Sequence, residues 1–427
     1  MKRWLLVGSV ALPFVMLAAL VACFWVNVPV LDQWELVPLF QKYHEGSVGF
    51  ADFFAQHNEH RLLFPRLVMF ALAIPSHWDV RWEMAASLVF AAAAFAFLYL
   101  ILRQTIASAR LRWFAALSVS VIFFSPIQWE NWLWGWQLQW YLNILGLIVA
   151  VWALSTWKAH PIWRIIVAAV GATLATYSLA SGFFVWVVGV PLIWFVRPLR
   201  RWLWLWLLLA ATAIGLHYVG YQDPANSPAR SLFVHAPRAF VKYVAVYVGH
   251  PLTVQASHTA VIVLLYALGI GAALYGLWRR ARQTLTTELL PWLVLGLYAG
   301  FAAASTGVSR LALGIGQAYA SRYTALSQLL LIGFVVCLYV VLEQKKMQRR
   351  AKQLATIGLG LIGILVLLNV AKGVVQLREQ SLYVQEGRVC ALTAASNQDM
   401  CLLKLYPSPG VVWERLQYLR GIHWSGL

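Results

Sequence analysis

Two short runs hold most of the side chains in this sequence that could do chemistry: Asp32-Gln33-Trp34-Glu35 and Gln56-His57-Asn58-Glu59-His60-Arg61. A carboxylate at the edge of a low-dielectric phase can take a proton from a hydroxyl or an amine. Asp32 and Glu35 are three residues apart, so a helical backbone turns both to one face. His57 and His60 have the same spacing and on a helix would share a face with Arg61, with Glu59 pointing roughly the opposite way. Such a pair could supply two ligands of a divalent metal, with an acid elsewhere as the third. It could equally hold a substrate, orient Asp32 by hydrogen bonds, or be structural. The i, i+4 histidines of a zinc-protease helix are absent. A third group is Arg310 with Ser321-Arg322-Tyr323. A guanidinium suits a phosphate through paired hydrogen bonds. An arginine snorkelling beside an interfacial tyrosine has the same sequence pattern.

The elements that must position these residues are membrane spans. Hydrophobic residues make up 61% of the chain and charged ones 11%, with a mean hydropathy of +0.70, which does not fit a soluble domain. Apolar runs near the ~20 residues that a bilayer core requires recur at 4–26, 82–102, 113–127, 138–156, 162–178, 183–196, 202–219, 259–278, 289–304, 323–342 and 354–371. The predicted fold is all-α and polytopic, with about 11 transmembrane helices. Residues 1–371 form the membrane domain, with a first outward loop at 27–81, and 372–427 form a small extracytoplasmic tail that packs on the outward loops.

Within the first outward loop, apolar residues from Val37 to Tyr43 predict a short surface helix that Gly46 and Gly49 interrupt. A second helix is expected from near Asp52 or Asn58 through Arg61 to Phe70, lying beside the membrane. Residues 220–257 make another outward loop, with a turn-rich start at 222–228 and a surface helix between His235 and His250. Trp129, Trp132, Trp134 and Trp136 read either as part of an interfacial belt or as a stacking surface for sugar rings.

Orientation follows from the basic residues. Clusters such as Lys2-Arg3, Arg103 with Arg110 and Arg112, Arg197 to Arg201, and Lys345 to Lys352 fall at every second junction and are assigned to the cytoplasm. Of the 15 acids only Glu288 and Glu343 then face inward. The N-terminus is expected in the cytoplasm and the C-terminus in the periplasm of a bacterial inner membrane. Much of the net charge of +18 is thus topology signal and contact with anionic lipid, and no basic stripe on a soluble domain points to nucleic acid. Leu20-Val21-Ala22-Cys23 has the look of a lipoprotein cleavage site, but the long apolar run reads as a retained first span. Cys390 and Cys401 both fall in the outward tail, where they are either disulfide-bonded or free thiols.

Some chemistries find no footing. There is no Walker loop, no Rossmann glycine fingerprint and no Gly-x-Ser-x-Gly elbow. Few ionisable residues lie at mid-span, where proton-coupled transporters carry them.

An acid directly after the first span, surface helices in a long first outward loop and some eleven spans resemble the GT-C class of membrane glycosyltransferases. That class includes protein mannosyltransferases and the aminoarabinose transferase of lipid A. Asp32-Gln33-Trp34-Glu35, His57 to Arg61 and Ser321-Arg322-Tyr323 also look like segments of bacterial GT-C-like proteins. The architectural likeness covers most of the chain and the motif likeness only these short pieces. Many members carry two adjacent acids in the first loop; here the second position is Gln33, so Asp32 acts alone or Glu35 substitutes. The resemblance implies a polyprenyl-phosphate-linked sugar as donor, a glycan or lipid acceptor, and no organic cofactor, with a divalent metal left open. Asp32, with Glu35, would be the base; Arg322, with Arg310, would meet the departing phosphate. His57, Asn58, Glu59, His60, Arg61 and Tyr323 would bind substrate. Competing readings are a polysaccharide polymerase or ligase using a lipid diphosphate donor, a transporter or flippase for lipid-linked sugar, and a non-catalytic scaffold.

Overall fold

A computed structural model describes residues 3–223, 232–253, 258–280 and 288–427. Most of the turn-rich stretch expected at 222–228 lies outside them. Among the described residues the chain is helical except for one two-stranded hairpin, Gln56–His57 paired with His60–Arg61. Nine of the helices are long and apolar enough to cross a membrane, the architecture of a multi-pass helical membrane protein. All nine coincide with predicted spans. The other two predicted spans, 162–178 and 183–196, form helices of 16 residues (Pro161–Thr176) and 13 residues (Phe183–Phe195). At 1.5 Å per residue these reach only ~20–24 Å, short of a ~30 Å hydrocarbon core.

The centre of the bundle is built by Leu138–Ser155 and Thr324–Glu343, which bury nearly every side chain. Peripheral helices instead expose apolar side chains such as Val7, Val15 and Met16, the pattern of a lipid-facing surface. Helix Leu138–Ser155 crosses Pro161–Thr176 through Gly146 and Gly171, where a Cβ on either glycine would collide with the carbonyl of the other. Small residues let two backbones approach this closely, and in lipid such packing supplies much of the helix attraction.

The segment between the first two spans is a string of short elements. A 3-10 turn, Leu31–Leu36, leads into helix Val37–His44, which carries Pro38 in its first turn. Gly46 ends that helix in the left-handed region, with φ of 69°. Helix Phe50–Phe54, the hairpin and helix Leu63–Ser76 follow. The continuous helix expected through Arg61 does not form. Asn58 instead takes φ of 50° and turns the chain sharply, so that His57 and His60 face each other across two strands rather than along one helix.

The tail begins differently from expectation. Helix Arg349–Thr393 runs unbroken across position 371 for 45 residues, about 67 Å at 1.5 Å per residue, roughly twice a bilayer core. Beyond it the chain folds back onto the segment between the first two spans. Leu31 N donates to Leu405 O at 2.6 Å, and Ser425 N donates to His77 O at 2.7 Å. Cys390 and Cys401 are disulfide-bonded and tie the end of the long helix to the returning segment.

Candidate active site

One hollow of about 720 Å³ opens where the first loop, the hairpin, the Trp-rich turn and the tail meet. Asp32 lines it, carried on the 3-10 turn just beyond the first helix. The residue before it, Leu31, is held at φ of 48°, a strained conformation for a leucine, and its amide is fixed by the Leu405 carbonyl. Asp32 therefore projects from a backbone that the distant tail holds in place. Its carboxylate oxygen lies 3.8 Å from His57 Nε2. That is too long for a hydrogen bond but short enough to tighten around a bound group.

The hairpin supplies the next wall. Glu59 accepts a hydrogen bond from Arg310 Nη2 at 2.7 Å, which brings the end of helix Leu290–Arg310 against the hairpin. Burial raises the Glu59 carboxyl, but the neighbouring His60 and Arg310 outweigh it and hold its pKa below the usual value. His60 Nδ1 accepts from Ala180 N at 2.9 Å, so the neutral ring carries its proton on Nε2. Burial pushes the His60 pKa down to about 4. Asn58 also lines the hollow.

Arg322 closes the opposite side. Its Nη1 donates to Glu130 Oε1 at 2.7 Å, and its backbone N donates to Glu130 Oε2 at 2.9 Å. Ser321 Oγ donates to the same Oε2 at 2.9 Å, and Asn131 Nδ2 donates to the Arg322 carbonyl at 2.9 Å. Glu130 thus sets the bearing of the arginine from a different helix. Tyr323 lines the hollow below the guanidinium, which sits 5.2 Å from its ring centroid, and stacks on Tyr247 with centroids 5.1 Å apart. Asp32, His57, Asn58, Glu59, His60, Arg310, Arg322 and Tyr323 are brought together around this one space.

Two of the predicted site residues are elsewhere. Glu35 points to the tail, where Arg415 Nη1 donates to it at 3.0 Å and Tyr406 Oη at 2.8 Å. Burial acts to raise its pKa, but the hydrogen bonds from Arg415 and Tyr406 lower it further, so it is a committed carboxylate rather than a spare base. The tail explains the divergence: Arg415 and Tyr406 draw the Glu35 carboxylate onto themselves, so it does not reach the hollow that Asp32 lines. Arg61 is 6% exposed and spends its guanidinium on backbone carbonyls of Phe54, His217 and Val219. It staples the hairpin to helix Leu203–Tyr218 and does not line the hollow.

Three features were not foreseen as site residues; a fourth, the tryptophan wall, includes Trp134 and Trp136, read from sequence as either an interfacial belt or a stacking surface. Glu130 sits inside a run of tryptophans, and its partner Arg322 is 192 residues away. Gln139 is a second. Trp134, Trp136 and Trp140 wall the hollow, and Trp132 stacks on Tyr141 at 4.5 Å; Trp132, Trp134 and Trp136 are buried, so an interfacial belt does not describe them. Tyr406, Pro407 and Ser408 of the tail complete the rim. Three buried polar atoms in these walls, His57 Nε2, Gln139 Oε1 and Trp140 Nε1, make no hydrogen bond among the described residues. Buried polar groups are rarely left so, and together they offer donors and acceptors to a polar ligand. Among the described residues there is no group of three or more His, Cys, Asp or Glu side chains placed to hold a metal ion.

Chemically, the hollow offers an exposed carboxylate, a neutral imidazole, two arginines and aromatic walls. A base and cations facing one cavity can remove a proton and receive an anionic leaving group. Comparison with known proteins adds nothing to this: no protein-family model, no curated protein and no solved structure matches the chain.

Proposed function

We propose that this chain is a GT-C-like glycosyltransferase of the bacterial inner membrane. It moves a sugar from a polyprenyl-phosphate donor to a glycan or lipid acceptor at the extracytoplasmic face. The supporting observation is that Asp32 and Arg322 line one hollow at the end of the bundle. Asp32 accepts the proton of the acceptor hydroxyl or amine as that atom attacks the anomeric carbon. The bond from that carbon to the phosphate oxygen breaks, its electron pair leaves with the phosphate, and the configuration inverts. Arg322 meets the charge gained by the leaving oxygen. His57, Gln139 and Trp140 bond to sugar hydroxyls, and Trp134 and Trp136 cover apolar ring faces.

Charge balance favours a monophosphate donor over a diphosphate. Each arginine already has a carboxylate partner, Glu59 for Arg310 and Glu130 for Arg322. With Asp32 the group holds three acids against two arginines. With this balance the single charge of a phosphodiester is opposed less than the greater charge of a diphosphate. A lipid diphosphate brings more negative charge than the two arginines can meet. Turnover on a diphosphate donor in preference to a monophosphate would favour the polymerase reading. Movement of lipid-linked sugar without a new glycosidic bond would favour a flippase.

The deciding experiment is sugar transfer by Asp32→Asn in reconstituted membranes. Loss of a positioned base is worth about 10²–10⁴-fold in rate. The variant should keep wild-type elution and melting behaviour while transfer falls by that range. Full activity would remove Asp32 from the mechanism.

A further inference from the structure

A second hollow, of about 780 Å³, lies at the other end of the bundle, between helices Arg3–Phe24, Arg81–Thr105 and Ala109–Phe123. The active-site hollow lies beyond the Phe24, Arg81 and Phe123 ends of these helices; this one reaches toward Leu6, Arg103 and Arg112. Its sides are apolar. At depth it is closed by Phe14, Phe95 and Phe124, with Phe124 5.2 Å from each of the other two ring centroids. From Ala92 to Arg103 along one wall is ~16 Å at 1.5 Å per residue. One leaflet of hydrocarbon is about half of ~30 Å. The groove is therefore one leaflet deep, with its aromatic floor near the bilayer centre and its two arginines at headgroup level.

The arginines are available for an anion. Arg103 is exposed and makes no hydrogen bond or ion pair among the described residues. Among the described residues Arg112 uses only Nη1, on the carbonyls of Ile106 and Ala107. Two acids lie at this corner, Glu288 beside Thr105 and Glu343, which accepts from the amides of Ala107 and Ser108; among the described residues neither forms an ion pair with Arg103 or Arg112. Trp113 Nε1 donates to Ser9 Oγ at 3.0 Å and to the Leu6 carbonyl at 3.3 Å, which pins the first helix as a fixed wall.

We propose that this groove binds one anionic phospholipid, with an acyl chain along the apolar walls and the phosphate between Arg103 and Arg112. The site is independent of the glycosyl-transfer reading. Each basic residue near an anionic headgroup contributes ~1 kcal/mol, about fivefold in affinity.

The test is native mass spectrometry of the full chain, delipidated and then exposed to vesicles of phosphatidylglycerol or of phosphatidylcholine. One phosphatidylglycerol should be retained about twentyfold better than phosphatidylcholine. The double variant R103Q/R112Q should lower it to the phosphatidylcholine level, while R200Q/R201Q, at basic residues away from the groove, should leave it unchanged. Ala96→Trp, which fills the groove, should lower retention of both lipids. Glycerol phosphate without chains should not compete. Equal retention of the two lipids, indifference to R103Q/R112Q, or an equal loss in R200Q/R201Q would overturn the proposal. The arginine variants alter exposed or half-exposed side chains, so they remain informative even if Ala96→Trp fails to fold.

Discussion

Glu130→Gln separates the charge of Arg322 from its aim. In the native protein one carboxylate accepts from Arg322 Nη1, from the Arg322 backbone N and from Ser321 Oγ. A glutamine has one oxygen and one NH2 group in the same place. If its oxygen replaces Oε2, the NH2 faces the guanidinium, donor against donor. If it replaces Oε1, the NH2 faces Ser321 and the Arg322 amide. Either way at least one charge-assisted bond is lost, worth about 1.5–3 kcal/mol. The side chains are 25% and 15% exposed, so solvent screens the pair only partly. The larger effect is on rate. Arg322 keeps its charge but loses its bearing, and a misplacement of ~1 Å in a positioned group costs about 10²-fold.

The expected series is then specific. Arg322→Gln removes a donor to the developing charge and lowers kcat by about 10²–10³-fold. Glu130→Gln alone lowers it by about 10²-fold. In the double variant the loss equals that of Arg322→Gln, because Glu130 acts through a side chain that is no longer there. Single-turnover transfer from a labelled polyprenyl-phosphate sugar reads this without interference from product release. Losses that multiply in the double variant would refute the idea that Glu130 works by positioning Arg322. Wild-type rates in Arg322→Gln would refute the role of Arg322 itself.

Two further outcomes follow from the loop and the tail. The folded His60 pKa near 4 lies below its unfolded value of about 6.5, so between these pH values the unfolded chain binds the extra proton. Stability from keeping this ring neutral is fully present above pH ~6.5 and is lost as pH falls toward 4, by up to about 1.4 kcal/mol per pH unit. His60→Gln should therefore show a smaller drop in melting temperature between pH 7 and pH 5 than the wild type; identical drops would exclude His60 as a contributor. Glu35→Gln weakens the hold on Tyr406 and Arg415 and should raise the acceptor KM several-fold while kcat stays within about threefold. Reduction of the Cys390–Cys401 disulfide should act the same way, since it frees the same rim segment. A collapse of kcat in Glu35→Gln at unchanged KM would instead make Glu35 the base.

The spans were legible because lipid imposes a length and a polarity on each helix independently of its neighbours. The shared hollow was partly legible for a related reason. In a chain with so few charges, Asp32, Glu59, Arg310 and Arg322 stand out by type alone, and the topology sends each to the same side. Their roles within it were not legible, because those depend on pairings that no local spacing encodes. Arg310 meets Glu59 across 251 positions, Arg322 meets Glu130 across 192, and Glu35 meets Arg415 across 380. Glu35 shows the consequence. Its nearness to Asp32 in sequence suggested a second base, yet a carboxylate that an arginine and a tyrosine already hold has no free acceptor role to play. His57 shows the reverse case: a single left-handed residue, Asn58, converts a helical spacing into a hairpin and delivers an unpartnered imidazole nitrogen to within 3.8 Å of Asp32. The imidazole beside Asp32 is thus set by one turn residue, while the arginine opposite is set by a carboxylate from another helix. On the proposed mechanism proton removal and leaving-group stabilisation rest on separate supports, so the losses from variants of Asn58 and of Glu130 should multiply in single-turnover transfer.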